Sequence, residues 1–155
     1  ASTMIHIPHL RSMIIRPSLM RLGMWSEDAE ELLLGTAIQE SKGGTYFKQL
    51  DGPALGIFQI EQATHKDIWD SYLDYNLDIA RKVSPIGMKD KANLVTDLKY
   101  ATMIARLVYS RRPEPLPKAT DLEGLAAYWK TYYNTKLGKG TEEEFIFNYN
   151  KALGK

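Results

Sequence analysis

The sequence predicts a single, mostly α-helical domain with one small loop or short β region near residues 43–57. Three observations predict it. Beyond residue 25, apolar residues recur at spacings of three and four over most of the chain. Several of these stretches open on a serine or threonine with an acid two or three positions on, the pattern of a helix N-terminus. Four of the eleven glycines crowd into residues 43–57, where the helical period is lost. At 155 residues the chain is the size of one domain and can bury a core of its own.

Residues 1–24 read as an N-terminal arm. His6, Pro8, His9 and Pro17 interrupt any period, and a short apolar turn follows at 18–23. Residues 25–155 read as the domain proper. Ser26 is a good N-cap, with Glu27 and Asp28 in the first turn where the helix dipole favours acids. That helix should run to about Glu40, with Ala29, Leu33, Thr36 or Ala37, and Glu40 on one face, and stop at Lys42-Gly43-Gly44. Tyr46, Phe47 and Leu50 would anchor the loop that follows. A helical pattern resumes over 57–75, with a restart capped at Thr64 and Asp67 three residues on. Ser84-Pro85-Ile86-Gly87 is a break. Residues 88–109 form the longest periodic stretch and predict a central helix, with Leu94, Leu98, Ala101, Ile104, Ala105 and Val108 on its apolar face. Pro113, Pro115 and Pro117 end it in a stiff connector. Thr120 with Glu123, and Thr141 with Glu144, are capping boxes for two last helices.

Composition narrows the function. Hydrophobic residues make up 44% and charged residues 25%, which reads as globular rather than disordered. The formal net charge of +1 argues against nucleic acid as a partner. The lack of cysteine excludes disulfides, cysteine nucleophiles and cysteine-ligated metals. His6, His9 and His65 have no metal-like spacing, so no metal site is expected. No phosphate-binding glycine loop, nucleotide fingerprint or Ser/His/Asp signature is present, so no cofactor is expected either. No apolar run is long enough for a membrane span. Arg11, Arg16 and Arg21 interrupt the apolar stretch that a secretory signal would need.

The residue that carries chemistry is Glu40. It closes the apolar stripe of its helix and faces inward. Lost hydration there disfavours the charged form and raises the pKa, so a protonated glutamate can act as general acid. The plainer explanation is a solvated helix-end residue beside Lys42, and periodicity alone favours it. Two later segments change the balance. Gly56-Ile57-Phe58-Gln59-Ile60 is followed by Ala63-Thr64, and Tyr132-Tyr133-Asn134 is preceded by Leu125-Ala126-Ala127. With Glu40-Ser41 these make three motifs in order across about 95 residues. In that order they resemble the lytic transglycosylase family of the lysozyme-like superfamily. Its signature is Glu-Ser at a helix end, a glycine-containing loop with Gly-Leu-Met-Gln-Ile, and a later Ala-Tyr-Asn.

The resemblance implies an α+β, lysozyme-like fold and cleavage of the MurNAc-GlcNAc β-1,4 bond of peptidoglycan. It implies Glu40 as the catalytic acid and base, with Ser41, Phe58, Gln59, Tyr133 and Asn134 as substrate-binding residues. Gln59 would hydrogen-bond sugar, Tyr133 would sit beside the glutamate, and Phe58 would replace the usual methionine as an apolar cleft wall. The chain departs from the pattern at Lys48, Gln49 and Asp51 in the loop, and at Thr135-Lys136-Leu137-Gly138 after Asn134. Residues 62–120 carry no matching motif.

The family's reaction uses one carboxylate, where ordinary glycosidases use two. Asp51, Glu61 and Asp67 are the candidate second carboxylates. Asp51 before Gly52 suits a turn and Asp67 suits a cap. One of them facing the cleft would instead make a hydrolase, as in goose-type lysozymes. Tyr46, Phe58, Trp129, Tyr132 and Tyr133 offer flat faces for sugar rings. Tyr128, Trp129, Tyr132 and Tyr133 lie too close together on one helix for all to face the cleft, so Tyr133 alone is assigned to it. Trp25 and Trp69 are assigned to packing. The expected partner is the peptidoglycan glycan strand, met in the periplasm or cell wall after delivery by a virion, by lysis or by prior processing. The alternative is a non-catalytic component of a phage tail or secretion assembly that keeps the fold. A third is an endolysin. An exposed apolar strip on 1–24 would favour an assembly component, and a free arm a stand-alone lysin.

Overall fold

Helix α3 (Glu27–Ser41) is buried almost all the way round. This helix and those named below come from a computed structural model that describes residues 5–42, 53–135 and 138–155. Ser26 caps α3 as expected, its side chain accepting from the Ala29 N–H at 3.0 Å. Ala29, Leu32, Leu33, Leu34, Ala37 and Ile38 point in all directions and all are buried. A helix buried on nearly every side, its buried acids Glu30 and Glu31 held by Arg11, lies in the interior of a domain. The 88–109 stretch does supply a central helix, packed against the N-terminal helices and α3 with most of its surface buried, but it is not continuous. It divides into α6 (Asn93–Thr96) and α7 (Leu98–Ser110) at Asp97. Asp97 adopts an extended backbone and accepts from the Tyr100 N–H at 3.0 Å, so its side chain opens a new helix where periodicity alone sees one.

The N-terminal segment corrects the expectation of an arm. Helix α1 (Ile7–His9), a π-helical stretch (Leu10–Ile15) and α2 (Arg16–Leu22) run on without a break and end at Gly23, whose φ is 75°. Leu10, Ile15 and Leu19 are wholly buried in the common core, against α3 and α7. The two prolines do not prevent this. Pro8 lies in the first turn, where an N–H is not needed. Pro17 follows the wider i→i+5 winding, which leaves room for its ring. Residues 7–22 are therefore part of the domain.

Between α3 and α4 (Gln62–Ser71), the described chain makes one tight turn. Leu55 and Ile60 exchange both backbone hydrogen bonds, each 3.0 Å long, the one β pairing among the described residues. Gly56 has a φ of 79°, and a Cβ on it would lie 1.9 Å from the Leu94 carbonyl oxygen. Only glycine fits. This turn uses residues up to Ile60, so α4 starts at Gln62 and Thr64 does not cap it. Asp67 is not a cap either: it accepts from Ser71 and Arg111, each at 2.7 Å. A 3-10 turn (Leu73–Tyr75) leads into α5 (Leu77–Val83).

After α7, the proline-rich stretch runs without helix to α8 (Leu122–Trp129). Its cap is Asp121, which accepts from the Gly124 N–H at 3.0 Å, rather than Thr120. Helix α8 passes directly into a second π-helical stretch (Lys130–Asn134). Thr141 caps α9 (Glu142–Ala152) as expected, accepting from the Glu144 N–H at 3.1 Å. Helix α9 comes close to α3 at Gly35, where a Cβ would lie 2.5 Å from the Phe145 ring. No helix among the described residues is long and apolar enough to cross a membrane. The expectations for Tyr46, Phe47, Leu50 and Asp51, and for most of the short β region, lie outside the described residues.

Candidate active site

Glu40 stands in the last turn of α3, half-buried. The indole N–H of Trp129 donates to its Oε2 at 2.9 Å. Trp129 ends α8 and is wholly buried. Its ring packs 5.3 Å from that of Phe145, and Gly140 lies against its edge, where a Cβ would come within 2.6 Å. Desolvation raises Glu40 from its ordinary value to about 7; the Trp129 hydrogen bond and the charge of Lys42 pull the other way but do not win.

Two phenols share this neighbourhood. The Tyr109 and Tyr133 rings stack with centroids 5.1 Å apart. Burial first, and then the nearby Glu40 charge, hold both hydroxyls well above the usual tyrosine range. Both stay neutral, and both are committed. Tyr109 shares a hydrogen bond with Thr36 at 2.7 Å, and Tyr133 donates to the Phe58 carbonyl. The second contact ties the Gly56–Gln59 turn to the π-helical end of α8. The acid thus lies in a largely apolar, aromatic setting.

Gln59 is half-buried, and its side-chain amide donates to the Gly56 carbonyl at 2.8 Å. Its Oε1 has no protein partner among the described residues and can accept a hydrogen bond from a ligand. Ser41, Phe58 and Asn134 do not fit their expected roles. Ser41 is wholly buried and its hydroxyl donates to the Ala37 carbonyl at 2.7 Å, because one helical step from Glu40 turns it about 100° away. Phe58 is also wholly buried, so its ring belongs to the core and only its carbonyl serves the site. The Asn134 side chain accepts from Lys130 Nζ at 2.7 Å, and the same ammonium donates to the Gly138 carbonyl at 3.0 Å. Asn134 therefore shapes the loop beside Trp129.

Sequence reasoning missed Trp129 and Tyr109 as neighbours of the acid. Trp129 had a usable signal, since it lies four residues before Tyr133 and so on the same helical face. Tyr109 had none, because only the packing of α7 brings it here. Of the candidate second carboxylates, Glu61 is exposed at the start of α4, and Asp67 is exposed and paired with Arg111. Asp51 lies outside the described residues. Among the described residues no three His, Asp or Glu side chains converge as a metal site. His65 is paired with the Tyr100 hydroxyl at 2.7 Å.

Backbone strain gathers at the same place. The three non-glycine residues with positive φ among the described residues are Lys42 (55°), Gln59 (49°) and Thr135 (69°). Each lies within two positions of Glu40, Gln59 or Asn134. Such conformations persist only where surrounding structure over-determines them, and they concentrate at functional sites. Thr135, with ψ at 172°, occupies a region open almost only to glycine. Thr135→Gly should therefore raise stability by about 1 kcal/mol in urea unfolding, the relieved strain exceeding the added chain entropy. A loss of stability would mean that the threonine side chain holds the turn.

Compared with protein-family models, curated proteins and solved structures, the chain matches none of them.

Proposed function

We propose that the protein is a lytic transglycosylase with a lysozyme-like fold, cleaving the MurNAc-GlcNAc β-1,4 bond of peptidoglycan with Glu40 as acid and base. The observation that carries the reading is the state of Glu40, held at a pKa of about 7 by burial at the end of α3. At neutral pH such a group is present in both forms, as one carboxyl needs to be if it must give a proton and later take one back. The order of the three motifs, and the contact between Tyr133 and the Phe58 carbonyl that joins two of them, support it further.

The reaction balances with one carboxyl. Protonated Glu40 gives its proton to the glycosidic oxygen as the bond from that oxygen to MurNAc C1 breaks. The substrate's N-acetyl group supports the positive charge that develops at C1. The C6 hydroxyl oxygen of the same sugar then bonds to C1, and its proton passes to Glu40. The product is a 1,6-anhydro sugar, no water is consumed, and the enzyme returns to its starting state. The exposed positions of Glu61 and Asp67 favour this course over a two-carboxylate hydrolysis. Gln59 Oε1 would accept a hydrogen bond from a sugar hydroxyl. The site of action is the periplasm or cell wall, reached from a virion, by lysis or after processing.

The exposed Met13 and Met20 on the docked N-terminal helix favour a second reading, a component of a phage or secretion assembly. Incubation with purified peptidoglycan and mass analysis of the released muropeptides tests both. The parent should release anhydro-muropeptides, and Glu40→Gln should release them at least ~100-fold more slowly. Reducing-end products lost in the same way would mean a hydrolase. A folded parent that releases nothing would leave the assembly component as the better reading.

A further inference from the structure

We infer that Trp129 decides which oxygen of Glu40 carries the proton: its indole N–H reserves Oε2 as an acceptor, so that Oε1 is the atom that gives up and takes back the proton. The catalytic consequence rests on the proposed activity, but the proton placement does not.

An indole N–H can only donate. Facing Oε2 at 2.9 Å, it needs an acceptor there whether or not the carboxyl is protonated. The hydroxyl form of a carboxylic acid is the poorer acceptor of its two oxygens, so the proton resides on Oε1. The ring is not free to swing away. Trp129 is wholly buried between Phe145 and Gly140. No other described group competes for the proton's position. The Tyr109 hydroxyl is bound to Thr36 and the Tyr133 hydroxyl to the Phe58 carbonyl. Lys42 acts on Glu40 through its charge. Among the described residues Oε1 has no hydrogen-bond partner, as a proton-transferring atom requires.

Trp129 also favours the charged form, because a hydrogen bond to a carboxylate is stronger than one to the neutral acid. Burial would hold the proton more tightly without it. Trp129 is therefore a positioning residue with two effects, one on where the proton sits and one on how readily it leaves.

The parent protein allows a test without a substitution at Trp129. The chain has three tryptophans. Trp25 donates to Glu30 and Trp69 to the Tyr100 hydroxyl, neither of which titrates near neutrality in the folded protein. In a proton–nitrogen NMR titration, one indole N–H should move with a midpoint of about 7, matching that of the Glu40 side-chain carboxyl carbon. In Glu40→Gln that movement should vanish. Three indoles that stay flat in the parent while Glu40 titrates would overturn the inference. Trp129→Phe removes the N–H and keeps most of the ring. It should raise the Glu40 midpoint by about one pH unit, and move the basic limb of the pH–rate profile with it. It should also lower kcat about tenfold with little change in KM. An unchanged Glu40 midpoint in the folded variant would equally overturn it. A titrating indole in a parent that cleaves nothing would sustain the proton placement and sink the proposed activity.

Discussion

Replacing Glu40 with glutamine should make the protein more stable above pH 7 and leave it nearly unchanged at pH 4. Burial lifts the carboxyl from 4.5 to about 7 in the folded protein. Across that window the folded state holds the proton more tightly than the unfolded state. Stability therefore falls as pH rises from about 4.5 to 7, and is level beyond. The full difference corresponds to about 3 kcal/mol. Partial exposure of the side chain lets solvent screen some of it, so a gain of about 2 kcal/mol is expected for Glu40→Gln at pH 8. For a chain of this size that is a rise of roughly 4–8 °C in Tm. Glutamine keeps the shape and an amide oxygen that Trp129 can still bond. Thermal unfolding of both proteins across pH 4 to 8 checks the expectation. A functional acid in a destabilising place is the usual exchange of stability for activity. A variant no more stable than the parent at pH 8 would show that Glu40 is well solvated, and its role as an acid at neutral pH would lose its physical basis.

What the sequence made legible was local. The Ser26 and Thr141 caps and the end of α3 at Glu40 follow from residues three or four apart, and they are found as expected. What it hid was set by packing and by unusual winding. Residues 7–22 hold a helix with an i→i+5 stretch and two prolines, so a template of period 3.6 finds nothing there. Thr64 and Asp67 satisfy a capping pattern that the Leu55–Ile60 turn makes irrelevant by starting α4 earlier. Motif adjacency misled for a different reason. Ser41 and Phe58 sit beside site residues in sequence, but a motif does not say which side of the chain faces the cleft. Both side chains face the core. Trp129 is the converse, a residue read as packing that is packed and also touches the acid.

Arg11→Met should destabilise the protein by about 3 kcal/mol in urea unfolding, at the low end of the range for breaking a buried ion pair. Arg11 donates to Glu31 at 2.6 and 3.0 Å and to Glu30 at 3.1 Å, joining the N-terminal helix to α3. The two glutamates are 4% and 8% exposed, so neither can turn to water if its partner is removed. The loss falls unevenly. Glu30 keeps two bonds from Arg16, at 2.7 and 2.9 Å, and one from the Trp25 indole at 2.9 Å. Among the described residues Glu31 keeps only the Tyr149 hydroxyl. Adding Glu31→Gln to Arg11→Met removes the stranded charge while leaving an oxygen for Tyr149, and should restore more than half of the loss. Arg16→Met should cost clearly less than Arg11→Met, because Arg16 is more exposed and Glu30 retains its other donors. A separable N-terminal arm predicts none of this; all three proteins would then unfold with the parent. The same variants separate fold from chemistry. Glu40 lies nine residues beyond Glu31 on α3, roughly 14 Å along the helix. Arg11→Met should therefore lower the unfolding midpoint and still release the parent's products at 20 °C. Products lost from the folded variant would mean instead that the hold of the N-terminal helix on α3 reaches the acid itself.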